Sequence, residues 1–309
     1  MRSSRAMIGR SVAAAIAVAL AFASTTVRAA GTGPQVLDPN RVVWRALRFA
    51  AHKAGLSAAI EVRLRPAGEP PSDQPSGAPL AAAATLGEPR EVWLESTTKL
   101  PGRTFLARER VDADRATALE IVDTETGARH HRKTYLLSGS GFTLDLVEPA
   151  SLGELFQPPD RWTRRIHSST PYPDALPNAA RVTGPAGLLY AISAADLKAP
   201  GDSLSIHVLV KTQVERVTVR VEGGQPVQLD YQQDVGGAVT PVHDVCEALA
   251  LVAHSDPMDP ASASVFRIFG LEGDVEMLWD ATRRLPLQLS GQVKLLGQVQ
   301  VRLTSATLR

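Results

Sequence analysis

Along most of this chain apolar and polar residues alternate with a period of two, the signature of strands that bury one face. In "SAAIEVRLR", Ala58, Ile60, Val62 and Leu64 oppose Ala59, Glu61, Arg63 and Arg65. "GDSLSIHVLV" sets Leu204, Ile206, Val208 and Val210 against Ser203, Ser205, His207 and Leu209. "VERVTVRVEGG" sets Val217, Val219 and Val221 against Arg216, Thr218 and Arg220. "ALEIVDTETGARHHRKTYLL" reads as two strands around a Thr-Glu-Thr-Gly turn, with Gly127 free to take a positive φ. "QPVQLDYQQD", "DVEMLW", "LPLQLSG" and "QVQVRLTS" add further strands.

Two segments have helical spacing instead. "GPAGLLYAISAADL" places Pro185 at the first turn and Leu188, Leu189 and Ile192 on one face. "TPVHDVCEALALVAHS" offers Thr240 as N-cap and Pro241 after it. Its Val242, Val245, Cys246, Leu249 and Val252 repeat at helical intervals. Strands that follow one another without intervening helices argue for antiparallel pairing. The expected fold is therefore mainly β: a large curved antiparallel sheet, a half-barrel or open barrel, with two or so short helices packed on it.

The first 29 residues read as a secretory signal peptide. Arg2, Arg5 and Arg10 precede the apolar run "SVAAAIAVALAFAS", and Val27 and Ala29 suit a peptidase cutting after Ala29. The run is shorter than the roughly 20 residues that span a bilayer, and no later run replaces it. Removing the segment takes away four arginines, leaving 29 Lys and Arg against 32 acids, a net charge of −3. That balance gives no basic footprint for nucleic acid. The expected location is the periplasm. The single cysteine, Cys246, excludes an intrachain disulfide and a cysteine-cluster metal site.

The remaining chain divides into a β region at 30–156, a connection at 157–178 and a second β region at 179–309, read as one continuous sheet. Within the first region, Pro66 to Arg90 is rich in Pro, Gly, Ala and Ser and reads as a flexible loop. The connection carries Pro158, Pro159, Pro171, Pro173 and Pro177.

Motifs that carry chemistry are scarce. "LLSGSGF" comes nearest to a nucleophile elbow, but Ser138 replaces its first glycine and strands flank it. His130 and His131 are adjacent on a strand and point to opposite faces. His243 and Cys246, three apart on the expected helix, form an incomplete ligand pair. "DPMDP" from Asp256 to Pro260 lacks the oxygen spacing of a calcium loop. In "EMLWDATRRLPLQLSG" the alternation runs through Val275, Met277 and Trp279 and resumes at Leu285, Leu287 and Leu289. Asp280 then caps a hairpin corner, Arg283 or Arg284 pairs with it, and Pro286 opens the next strand. An exposed pair of that kind contributes at most ~1 kcal/mol. No catalytic, cofactor-binding or metal-ligating residue is assigned, and no cofactor is expected.

The stretches "AGLLYAISAADLKAPGDSLSIHVLVKTQVERVTVRVEG" and "GDVEMLWDATRRLPLQLSGQVKLLGQVQVRL" resemble an uncharacterised domain family of exported proteobacterial proteins. "FAAHKAGLSAAIEVRL" is similar to that family's first hairpin. The chain departs from the pattern at Gly184-Pro185 and Ala194-Ala195, in the segment Thr240 to Ser255, and in the long loop Pro66 to Arg90. The resemblance implies an exported, sheet-rich protein of unassigned activity. Its architecture would be similar to the half-barrel carriers that hold lipoprotein acyl chains in the periplasm.

The functional expectation is a non-catalytic periplasmic protein that binds or carries a hydrophobic, lipid-like molecule between sheet and helices. One alternative is an interaction or scaffold protein of the cell envelope, whose partner is another envelope protein. A second is a hydrolase of unrecognised type.

Overall fold

The computed structural model describes residues 36–309 apart from 54, 67, 70–89, 178–179, 260 and 265. The expected signal peptide at 1–29 and nearly all of the expected loop at 66–90 lie outside the described residues. The first eight strands form a meander: β1 (Trp44–Lys53), β2 (Leu56–Pro66), β3 (Glu91–Leu100), β4 (Arg103–Asp112), β5 (Thr117–Gly127), β6 (His131–Leu137), β7 (Gly141–Glu148) and β8 (Arg164–Pro171). Then come the short β9 (Val182–Thr183), the helix α1 (Pro185–Ala194) and β10 (Ser203–Val210). Two long strands follow, β11 (Gln213–Val235) and β12 (Ala238–Pro257), and then β13 (Arg267–Ile268), β14 (Leu271–Asp280), β15 (Leu285–Val293) and β16 (Gly297–Leu308).

All sixteen strands belong to one sheet. From β8 the order runs back to β1, crosses to β16, and continues through β15, β14, β12, β11 and β10 to β9. The β1–β16 pairing, Leu47 opposite Ala306, thus fuses the two halves. The sheet curves into a partial ring. Its ends come together where Phe142, Thr170 and Pro171 share a small cleft of about 160 Å³ with Gln213, Val214 and Pro257. The fold is mainly β, as the alternation predicts, with Ile60, Val62, Leu64, Val217, Val219 and Val221 all buried.

One of the two expected helices is a strand instead. Thr240 to Ser255 lies within β12, paired with β11 along its whole length and with β14 from Ala248 to Ala253. Gly236 and Gly237 both have positive φ, 61° and 90°, as a two-residue hairpin turn requires. Asp234 Oδ1 closes that turn by accepting from Gly237 N at 2.9 Å. The run from Ala248 to Ala253 is apolar throughout, so it satisfies a buried strand as well as a helix. The unpaired backbone of β11 and β14 on either side then decides for the strand. A register shift between Val221 and Gly223 bends β11, and its far end pairs in parallel with β16, Gln232 opposite Ser305.

The other helix, α1, occupies the inside of the ring. Residues Ala186 to Ala194 are all buried, which explains why it is apolar on every side. Its ends are held from opposite halves of the sheet. At the N-terminus, Glu109 of β4 accepts from Ala186 N and Gly187 N, both at 2.8 Å. At the C-terminus, Arg284 from the β14–β15 corner donates to Ser193 O at 2.7 Å and Ala195 O at 2.9 Å. Arg284 also donates to Arg41 O at 3.0 Å. A carboxyl at the N-terminus and a cation at the C-terminus both satisfy backbone groups the helix leaves open. Between them Trp44 Nε1 donates to Ser193 Oγ and Tyr190 OH to Ala113 O, each at 3.0 Å.

The corner itself differs from an exposed ion pair. Asp280 is fully buried. Its Oδ1 accepts from Thr282 N and Arg283 N at 2.9 and 2.8 Å, and its Oδ2 from Arg283 Nη1 at 2.9 Å. Arg283 also reaches Asp244 of β12 at 3.0 Å. The two arginines therefore divide the work: Arg283 closes the corner and Arg284 docks the helix.

Candidate functional site

Alternation places Glu109, Ala107 and Phe105 of β4 on the face that meets α1. Cross-strand pairing carries that face outward in rows. Glu109 lies beside Ile121, then Tyr135, then Leu144. Ala107 lies beside Asp123, then Lys133, Leu146 and Ile166. Phe105 lies beside Glu125, then His131. α1 packs on β3 and β4, and β9 lies against β5. Beyond them the inner face opens: Leu144 and Leu146 are half-buried and Ile166 is 47% exposed.

A cleft of about 430 Å³ opens on this face at the β5–β6 hairpin, lined by Arg129, His130, His131, Lys133, Leu146 and Glu148. Burial lowers the His131 pKa, and Lys133 lowers it further against the pull of Glu125 and Glu148, so His131 is neutral at pH 7. Deeper in, burial pushes the Glu109 carboxyl up to about 7, against the three helix amides that favour its charge. The nearby Asp123 carboxylate adds to that rise. Asp123 is itself raised by burial to about 6, with Lys133 pulling it down. The Tyr135 phenol is buried without a hydrogen-bond partner, and burial raises its pKa.

Raised carboxyls are the kind of group that can act as general acids. Glu109, however, is wholly inaccessible and both its oxygens are bonded to the helix. Gly187 leaves the room for this contact, because a Cβ there would overlap Thr183 Oγ1 and crowd Glu109. Glu109 is a docking group for α1.

The residues singled out in the sequence are dispersed. Ser138 is in the β6–β7 turn and donates to Gly141 O at 3.0 Å. His131 lines the cleft, while His130 meets the Trp162 ring edge-on at 6.1 Å. His243 and Cys246 sit on a strand, where a spacing of three sends them to opposite faces. His243 pairs with Asp230 at 3.2 Å. The half-buried Cys246 thiol is raised by burial and by the Asp280 carboxylate to which it bonds, so it is a poor nucleophile. Asp256 stands at the end of β12 and pairs with Arg216 at 3.2 Å, and Asp259 beyond it caps Ala261 N at 3.0 Å, so both acids of "DPMDP" have partners within the fold. Among the described residues, no three His, Cys, Asp or Glu side chains are grouped to hold a metal ion. Nor is any helix among them long and apolar enough to cross a membrane.

No protein-family model, curated protein or solved structure matches this chain.

Proposed function

We propose that this is an exported, non-catalytic binding protein that holds a lipid-like amphiphile against the inner face of β6–β8. The observation that carries the reading is the strip formed by Leu144, Leu146 and Ile166. It continues the sealed interior of the ring outward and ends at a polar cleft. Apolar side chains facing inward on an open stretch of a curved sheet mark ligand or partner surfaces. The ligand would lie beside α1, since α1 fills the space between itself and the sheet. The export part of the reading rests on the apolar run and basic start of the first 29 residues.

A fluorescent long-chain acyl probe is expected to bind the purified protein saturably at one site. Ile166→Asp should weaken that binding by about tenfold or more, because a buried acyl chain would face a charge. Its thermal stability should hold, because Ile166 is exposed. No saturable binding would sink the reading.

The interaction reading is favoured by one different feature. β8 ends the sheet, its outer edge is unpaired among the described residues, and Arg164 to Ser169 are all exposed. Such an edge can accept an added strand from a partner. A stoichiometric envelope partner that protects β8 amides from exchange, with no acyl binding, would favour it over the lipid reading.

A further inference from the structure

We infer that the cleft at the β5–β6 hairpin seats the anionic phosphate headgroup of the amphiphile, with Arg129 and Lys133 as the cations that meet it. This rests on the lipid reading above and names the chemistry at the ligand's polar end.

Many of the sheet's cations are matched across strands. Arg108 pairs with Glu95 at 3.1 Å, Arg110 with Glu91 at 3.3 Å, Arg48 with Glu61 at 2.9 Å and Arg267 with Glu272 at 2.7 Å. The two cations that line the cleft are not among these pairs. Neither Arg129 nor Lys133 has an ion-pair partner among the described residues. The acids nearby are already engaged: Glu148 by Arg164 at 3.4 Å, and Glu125 by Arg103. Asp123 faces Lys133 from β5 without pairing directly to it. The Nδ1 atom of His130 is buried with no hydrogen-bond partner, and the Trp162 ring packs on that imidazole. Unmatched donors around a space of about 430 Å³ suit a tetrahedral oxyanion, which accepts several hydrogen bonds at once. The neighbour of Lys133 across the strand is Leu146, and Ile166 follows. A phosphate in the cleft therefore has apolar side chains leading away from it, the chemistry an acyl chain would meet.

The test compares three probes on the full chain: an acyl glycerol phosphate, the monoacylglycerol of the same chain length, and inorganic phosphate. The acyl phosphate is expected to bind about tenfold or more tightly than the monoacylglycerol, the usual effect of a charge-assisted contact. Arg129→Gln and Lys133→Met should each remove most of that advantage, bringing the affinities for the two acyl probes together. Arg129 is exposed on the hairpin, so its variant keeps the fold even if Lys133→Met does not. Equal binding of the two acyl probes overturns the headgroup assignment and leaves the lipid reading standing. Binding of neither overturns both. Inorganic phosphate held as tightly as the acyl phosphate makes this a small-anion site and overturns the lipid source.

Discussion

Asp280→Ala is expected to lower the unfolding free energy by about 3 kcal/mol, the cost of removing one partner from a buried charged network. The carboxylate is fully buried and accepts three N–H hydrogen bonds besides its contact with the Cys246 thiol, two of them from the backbone of the corner it closes. Its loss leaves Thr282 N and Arg283 N without acceptors. It also loosens Arg284, the next residue, whose φ of 55° is held by the same turn. The helix C-terminus that Arg284 caps should therefore soften with the corner, and amide exchange at Ala194 and Ala195 should speed up along with the global loss. Arg283→Ala should cost much less, about 1 kcal/mol, because that side chain is 31% exposed and water replaces it. Equal costs for the two substitutions, measured by urea denaturation, would contradict the buried-cap account.

Glu109 gives the second large effect, and here pH reveals it. Its carboxyl is raised from 4.5 to about 7 in the folded protein. Below pH 4 both folded and unfolded forms are protonated and the group contributes nothing. Between 4.5 and 7 the unfolded chain ionises while the folded one keeps its proton, so stability falls as pH rises. Above 7 the full cost, about 3 kcal/mol, is in place. Asp123, raised from 3.8 to about 6, acts in the same direction, and the two titrate as a pair. The contribution of these two groups should thus be most favourable below about pH 4 and decline steadily towards neutrality. Glu109→Gln removes this group's share of the slope but can serve only one of the two helix amides with a carbonyl. The variant should be about 2 kcal/mol less stable than the parent at pH 5. That gap should close or reverse at pH 8. Parallel pH profiles for parent and variant would refute the assignment.

The strands were legible because their alternation is set by burial of one face, which the residues must encode. Val275, Met277, Trp279, Leu285, Leu287 and Leu289 are buried as their phase predicts. The helix α1 was legible from Pro185 and its apolar spacing. β12 was not, although Gly236-Gly237 between two runs is a hairpin signal in plain view. Its six consecutive apolar residues satisfy either period, and only the neighbours β11 and β14 decide between them. The docking role of Glu109 was hidden for a related reason. In "TFLARERVD" it shares a phase with Phe105, Ala107 and Val111, so a charge stands at an inward position. Nothing local says that a helix terminus 77 residues later will meet it. The cleft was hidden because its walls come from the β5–β6 hairpin and from β7, and the unmatched state of Arg129 and Lys133 depends on which acids the fold pairs elsewhere.

The most direct test of amphiphile binding is where the ligand lies. A photoreactive acyl probe, cross-linked to the purified protein and mapped by peptide mass spectrometry, should label β6 to β8 around Lys133, Leu146 and Ile166. Excess unlabelled lipid should suppress that labelling. Labelling confined to the exposed valines Val235, Val239 and Val245 of the β11–β12 hairpin, or none that unlabelled lipid suppresses, would contradict it.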